Sequence, residues 1–431
     1  MKRKFSFAVL LLLIGAPAFA GGNALTLEEA FQKAVARSES LAIKDEDVRV
    51  AAAHYLQALG TVLPHLDVNA SEIIQDTPPS TLTVGGGNVG NTFTRRSRPE
   101  VAITLTQPLF QGLREFMALK VAGAEKRRNT FTVKRARQLL FSDVARAYYG
   151  VIEAEKDLSI EQSIRTTLVQ RIKELKDRIA LGKSRESELL NSESQQASLE
   201  AQIAQTQGTV QTSRDILSFL TGDPVVEERL VDQFQVPPRP GAVETFIAGS
   251  DARPDIAASR EDVRLSKGRV DYEKGARYPM INFTGNYYPY RVGFQKDIDW
   301  DLTFAMTLPL FHGGETKGRI REAQAQLKQS ELSRDLTERQ TESDIREAYH
   351  TLLSTLNRES ALRRAESKAN ANYGAQLKDY QLGLVNNLDV LIALRSWQET
   401  RQEVNLAHYE TKLRYLQLLV ASGRLDFEAP Q

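Results

Sequence analysis

Apolar and polar positions follow two periods along this chain, and each period marks a different kind of element. In 66–74, Leu66, Val68 and Ala70 alternate with Asp67, Asn69 and Ser71; in 99–107, Val101, Ile103 and Leu105 alternate with Ala102, Thr104 and Thr106. A period of two sends successive side chains to opposite faces, so both segments predict strands with one apolar and one polar face. The pattern returns in 280–288, where Ile281, Phe283 and Tyr287 oppose Asn282, Thr284 and Asn286. It returns again in 299–308, where Trp300, Leu302, Phe304 and Met306 oppose Asp301, Thr303, Ala305 and Thr307. Elsewhere the period is that of a helix. Ile160, Ile164, Leu168, Ile172, Leu175 and Ile179 form the stripe of a long helix lying along a partner. A first helix is predicted from Leu25 to about Leu63, with Thr26 as N-cap and Glu29 completing a capping box before Pro64 ends it.

The chain holds fifteen prolines, yet none lies between Leu109 and Asp223 or between Leu310 and Ala429. A proline inside a helix costs about 3 kcal/mol, so these two runs are where very long helices can exist. Each is expected to fold as a hairpin: 113–222 turning near Gly182, with Ser184 restarting the helix, and 314–423 turning near Gly383. At about 1.5 Å per residue the outgoing helices would each run on the order of 100 Å.

The two halves repeat one another. Thr106-Gln107-Pro108-Leu109-Phe110-Gln111-Gly112 returns 201 residues later as Thr307-Leu308-Pro309-Leu310-Phe311-His312-Gly313, and that offset holds to Gly222 and Gly423. Upstream the offset is 215, so the difference falls in the longer loop of the first strand pair, 76–98. Loops drift in length and packed elements do not, so something holds both helical hairpins to one length. Pro108 and Pro309 are expected to stop a strand, with Gly112 and Gly313 in the turns that follow. The predicted organisation is a removable leader at 1–20 and a first repeat at 21–222. A connector at 223–250 with little regular structure follows, then a second repeat at 251–423 and a short tail at 424–431. The fold class is mainly α with a small β part, in two tandem units of helix, β-hairpin and long helical hairpin.

Composition narrows the setting. Met1-Lys2-Arg3-Lys4, the apolar run Phe5 to Ile14 and Ala18-Phe19-Ala20 have the three regions of a secretory signal cut near Ala20. Without that segment 53 basic residues face 55 acidic ones, a net charge of −2, which gives no reason to expect a nucleic-acid partner. The chain has no cysteine, hence no disulfide and no lipidated thiol. His54, His65, His312, His350 and His408 show no ligand spacing, so neither metal, cofactor nor catalysis is assigned. Four strands cannot close a barrel, and an open edge is forbidden in lipid. Two chains would give eight strands with a filled interior; three would give twelve and leave an aqueous lumen.

Beyond these readings, the sequence resembles the TolC family of outer-membrane efflux proteins. The likeness is carried by Leu25-Thr26-Leu27-Glu28-Glu29-Ala30, by the two Pro-Leu-Phe turns, and by Ala252-Arg253-Pro254-Asp255-Ile256. Tyr380-Gln381-Leu382-Gly383 and Leu388-Asp389-Val390-Leu391 complete it. The resemblance implies a homotrimer with a twelve-stranded barrel in outer-membrane lipid and a helical tunnel across the periplasm. It further implies a passive export channel serving a periplasmic adaptor, or membrane fusion, protein and an inner-membrane transporter. The tips around Leu181, Gly182, Lys183, Leu382, Gly383 and Leu384 would then dock the adaptor and form the gate.

Within that gate, the resemblance implies a ring of three Asp389 carboxylates, attractive to cations, and a link from Tyr380 to Glu188. Two positions depart from the family: Ile392 stands where a second acidic residue is found, and Val385 where a basic residue helps lock some relatives. Arg185 is the candidate replacement. Asp389 has an equal claim as a helix cap. A periplasmic coiled-coil scaffold remains the alternative to a channel, although it leaves four amphipathic strands unexplained.

Overall fold

The computed structural model describes residues 24–76, 96–224, 228–293 and 295–425, with the backbone of 83–84 and 87–88. The expected leader, most of the 76–98 loop and the end of the tail lie outside the described residues. The elements in order are β1 (Ala24–Leu25), α1 (Leu27–Arg37), α2 (Glu39–Gly60), β2 (His65–Ile74), β3 (Thr83–Val84), β4 (Gly87–Asn88), β5 (Ser97–Gln111), α3 (Arg114–Ala180) and α4 (Glu186–Thr221). Then come β6 (Arg229–Leu230), α5 (Val243–Ala248), α6 (Pro254–Gly275), β7 (Met280–Arg291), β8 (Trp300–Thr307), α7 (Glu315–Gln381) and α8 (Asn387–Ala421). Contacts divide the chain into two compact units: residues up to 37 with 143–235 and 361–409, and 38–142 with 236–360 and 410 onward.

Among its described residues the first unit is helical, apart from one short parallel pairing of β1 with β6. The Tyr148 hydroxyl lies 2.7 Å from the Leu25 carbonyl oxygen and 2.9 Å from that of Val231, and it accepts from the Val231 N–H at 3.1 Å. Thr26 and Glu29 make the expected capping box: the Glu29 N–H donates to Thr26 Oγ1 and the Thr26 N–H to Glu29 Oε2. The Thr26 N–H first, and then the Thr26 hydroxyl donating to the same Oε2 at 3.0 Å, hold the Glu29 carboxyl below its ordinary range. The single helix expected from Leu25 to Leu63 is a correction. Ser38 takes an extended conformation and its side chain accepts from the Leu41 N–H, capping α2 as a separate helix. Along α3, Ile164 and Leu168 pack with Leu199 of α4 and with Leu391 and Leu394 of α8.

The second unit contains the sheet. Its order is β2-β5-β7-β8, antiparallel throughout, so β5 and β7 join the two hairpins and β2 and β8 are the edges. Register lines up one face: Leu66, Leu105, Gly285 and Leu302 form one row, and Val68, Ile103, Tyr287 and Trp300 the next. Phe283 and Phe304 continue it with ring centroids 5.0 Å apart. The opposite face carries Asp67, Thr104, Asn286 and Asp301 in a row. There Asn69 donates to Thr104, Thr104 to Asn286 and Asn286 to Asp301, at 3.1, 2.9 and 2.9 Å.

Two further expectations are corrected here. Pro108 does not end its strand, since β5 continues to Gln111, with a bulge between Pro108 and Phe110. The β2 ladder stops at Thr106, so beyond it β5 has a partner only on the β7 side, and an edge position tolerates a residue with no N–H to donate. The connector 223–250 is also more regular than expected. It holds β6 and α5, and Phe246 of α5 is buried with Ile345, Leu352 and Leu418.

Candidate functional site

Two places in the structure have the makings of a functional site, the paired helical tips of the first unit and the two-faced sheet of the second. Both tips are built by the same backbone device. After α3, Gly182 has φ +67, its N–H bonds to the Ile179 carbonyl, and the Lys183 N–H reaches back to Arg178. After α7, Gly383 has φ +75, its N–H bonds to the Tyr380 carbonyl, and the Leu384 N–H reaches Asp379. This is the Schellman closure, in which a left-handed glycine lets two orphan carbonyls be satisfied. It turns Leu181, Leu382 and Leu384 outward, with about 70% of each exposed.

The returning helices begin differently. The N-cap of α4 is Arg185, whose side chain makes no capping bond, so the helix expected to restart at Ser184 begins at Glu186. Ser184 Oγ instead donates to Glu188 Oε2 at 2.6 Å, because a carboxylate one turn into the helix is the stronger acceptor. At α8, Asn386 Oδ1 accepts from the N–H groups of Leu388 and Asp389, and Asp389 Oδ2 accepts from the Asn386 N–H at 3.2 Å. Asp389 is thus the reciprocal member of a capping box.

Tyr380 is the centre of the tip cluster. It is 5% exposed, and its hydroxyl donates to Glu188 Oε2 at 2.9 Å. Its ring packs with Leu175 and Val390, with Val385 against the same cluster. The cations facing it are Arg171, 3.9 Å from the ring centroid, and Arg178, at 4.9 Å. Arg185, the candidate cation from sequence, is exposed at the N-cap and makes no such contact. Behind the ring, Arg171 Nε donates to Asn387 Oδ1 at 3.0 Å, and Asn387 Nδ2 donates to Ser192 Oγ and the Glu188 carbonyl. Arg171, Asn387 and Ser192 were missed by the sequence reading. One signal could have found Arg171: Ile164, Leu168, Arg171 and Leu175 keep the four-three-four spacing of a buried seam, with a charge inside it.

In the second unit, the two Pro-Leu-Phe turns differ in surroundings. Gly112 has φ +69 and lies so close to the end of α6 that an added Cβ would stand 2.1 Å from the Gly275 carbonyl oxygen. Leu113 follows with φ +63. The second turn stands open: Gly313, at φ +56, has nothing within 4 Å of an added Cβ, and Leu310 and Phe311 are almost fully exposed. Among the described residues no helix is long and apolar enough to cross a membrane, and no cluster of His, Cys, Asp or Glu could hold a metal ion.

A sheet that is apolar on one face and hydrogen-bonded on the other, with an unpaired edge on β2 and on β8, fits the class of protein that meets a membrane through strands. The chain belongs to the outer membrane efflux protein family, whose model matches residues 30–223 and 250–424. It is an outer-membrane efflux channel of the TolC-like kind. It is 21% identical over 339 residues to the alkaline protease secretion protein AprF of Pseudomonas aeruginosa, spanning 75% of this chain and 69% of that protein. It is 19% identical over 345 residues to the outer membrane protein TolC of Salmonella enteritidis, with the same shares. Its fold matches the crystal structure of the outer membrane protein VceC of Vibrio cholerae with a TM-score of 0.79 at 18% identity, covering 92% of this chain and 96% of that one.

Proposed function

We propose that three copies of this chain form a twelve-stranded barrel in the outer membrane, continued by a periplasmic tunnel of helices. Substrates pass through it passively from a periplasmic adaptor and an inner-membrane transporter. The observation that carries this reading is the sheet. Its apolar rows suit lipid, its hydrogen-bonded row of Asp67, Thr104, Asn286 and Asp301 suits water, and β2 and β8 each pair on one side only. Unpaired edges are not tolerated in hydrocarbon, and joining each β8 to the β2 of a neighbour removes them all.

In this reading the two tandem repeats are 21–222 and 251–423, the leader is cleaved near Ala20, and the connector 223–250 lies between the repeats. The exposed leucines of the tips meet the adaptor. Asp389, Tyr380 and Glu188 face the gate, with Arg185 on the rim and no catalytic residue or cofactor taking part. The cargo is selected by the transporter.

The test is purification of the mature protein from outer membranes in detergent. The expected result is a particle of three chains that inserts into planar bilayers as discrete conductance steps. A water-soluble monomer that leaves bilayers silent would sink the proposal.

A further inference from the structure

We infer that Arg171 and Asn387 form a second clasp behind Tyr380, and that this clasp, more than the Tyr380–Glu188 hydrogen bond, holds the α7–α8 tip against the α3–α4 tip in the closed channel. The inference rests on reading the tips as the gate. Its core is Asn387, which is 1% exposed and uses its whole amide: Oδ1 accepts from Arg171 Nε at 3.0 Å, and Nδ2 donates to Ser192 Oγ at 2.9 Å and to the Glu188 carbonyl at 3.1 Å. One side chain in the first turn of α8 therefore touches both α3 and α4. Sliding the tips past each other would leave several buried polar groups unpaired at once, each without the water that would otherwise satisfy it. A buried amide in an apolar seam fixes register in this way.

Arg171 supplies the other half. It is 4% exposed, between Leu168 and Leu175 in the stripe of α3. A buried cation must be compensated, and here the compensation comes from three directions. Besides Asn387, Nη1 reaches Glu174 at 3.3 Å, and the guanidinium lies over the Tyr380 ring with Arg178 beside it. Cation–π contacts of this kind strengthen when water is excluded. Nη2 is buried and without a hydrogen-bond partner, a donor that water would satisfy once the tips part. The clasp is thus tight without being irreversible.

The front-side bond is weaker by construction. Glu188 is only half-buried, and it already accepts from Ser184, so water can replace the phenol. Arg171 is accordingly a positioning residue that acts through the ring of Tyr380 and the amide of Asn387.

Closed-state conductance of the full-length trimer in planar bilayers tests this, with heat resistance of the trimer as a check on assembly. Arg171→Leu and Asn387→Ala should each raise conductance severalfold, and the double variant should rise little further because both remove one interaction. Arg171→Lys should open as well, since an ammonium cannot stack and also form the same fork. Tyr380→Leu should match them. Tyr380→Phe, which keeps the ring and loses only the hydroxyl, should change conductance far less.

Wild-type conductance in Arg171→Leu and Asn387→Ala, with Tyr380→Phe opening, would overturn the clasp and leave the tip gate standing. Wild-type conductance in all the variants would overturn the tip gate itself. Where Arg171→Leu fails to assemble, Arg171→Lys and Asn387→Ala decide by the same readout.

Discussion

Asp157 shows how one half-buried side chain writes a pH dependence into the whole. Burial pushes its carboxyl up to about 6, against one opposing bond donated by Asn405 at 2.7 Å and with the Glu161 charge adding to the rise. A raised carboxyl binds its proton more tightly in the folded state than in the unfolded one. Stability should therefore increase as pH falls from about 7 through 6 toward the ordinary aspartate value near 4, and burial of the charged form should cost most above 6. Asp157→Asn should raise the heat-denaturation midpoint at pH 8, by on the order of 1–2 kcal/mol of stability, and flatten the slope between pH 4 and 7. An unchanged slope would mean that another group carries it. Glycine makes a second residue-scale case. Gly112 and Gly313 occupy matching turns at left-handed φ, yet only Gly112 faces a backbone oxygen 2.1 Å from where a Cβ would be. Gly313→Ala should cost about 1 kcal/mol of conformational strain, whereas Gly112→Ala should cost several times more and lower trimer yield. Equal yields of the two variants, purified side by side, would contradict the packing seen at Gly275.

At the scale of elements, alternation along the strands was legible because a half-buried sheet demands a period of two whatever surrounds it. The long helices were legible because runs of more than a hundred residues without proline, carrying apolar residues at helical spacing, leave few alternatives. Less was legible where a single side chain decides a boundary. Ser38 divides one expected helix into two by capping the second, and Pro108 stays within β5 because the strand has lost its second neighbour there. Neither boundary follows from hydrophobic period: one turns on a single capping bond, the other on which partner strand is present. The two faces of the sheet make a direct prediction. Phe304→Lys places a charge in the apolar rows and should cost about 2–4 kcal/mol near mid-membrane, seen as loss of trimer from the outer membrane. Thr303→Lys, on the other face of β8, should leave the trimer intact and lower cation conductance. Equal recovery of the two variants would reverse the assignment of faces.

For the whole molecule, the proposed threefold axis would turn single residues into rings. Three Asp389 carboxylates at the mouth should bind di- and trivalent cations, more weakly for want of a second acidic ring at Ile392. Asp389→Ala should relieve block of single-channel current by such cations, and persistent block would remove Asp389 from the lumen. The capping bond from the Asn386 N–H engages only one Asp389 oxygen, Oδ2, and leaves this role compatible with its place in α8. Family and strand faces were within reach of the sequence, the first through the resemblance carried by short motifs and the second through a period of two. The clasp behind Tyr380 was not. Arg171 and Asn387 are 216 residues apart, and nothing in the stretch of chain around either one reveals a clasp. Sequence alone determined which long segments become strands and helices, because backbone hydrogen bonding and hydrophobic period are local properties. Only the tertiary structure decided which buried amide meets which buried cation, because that pairing exists only after separate helices have been brought to one seam.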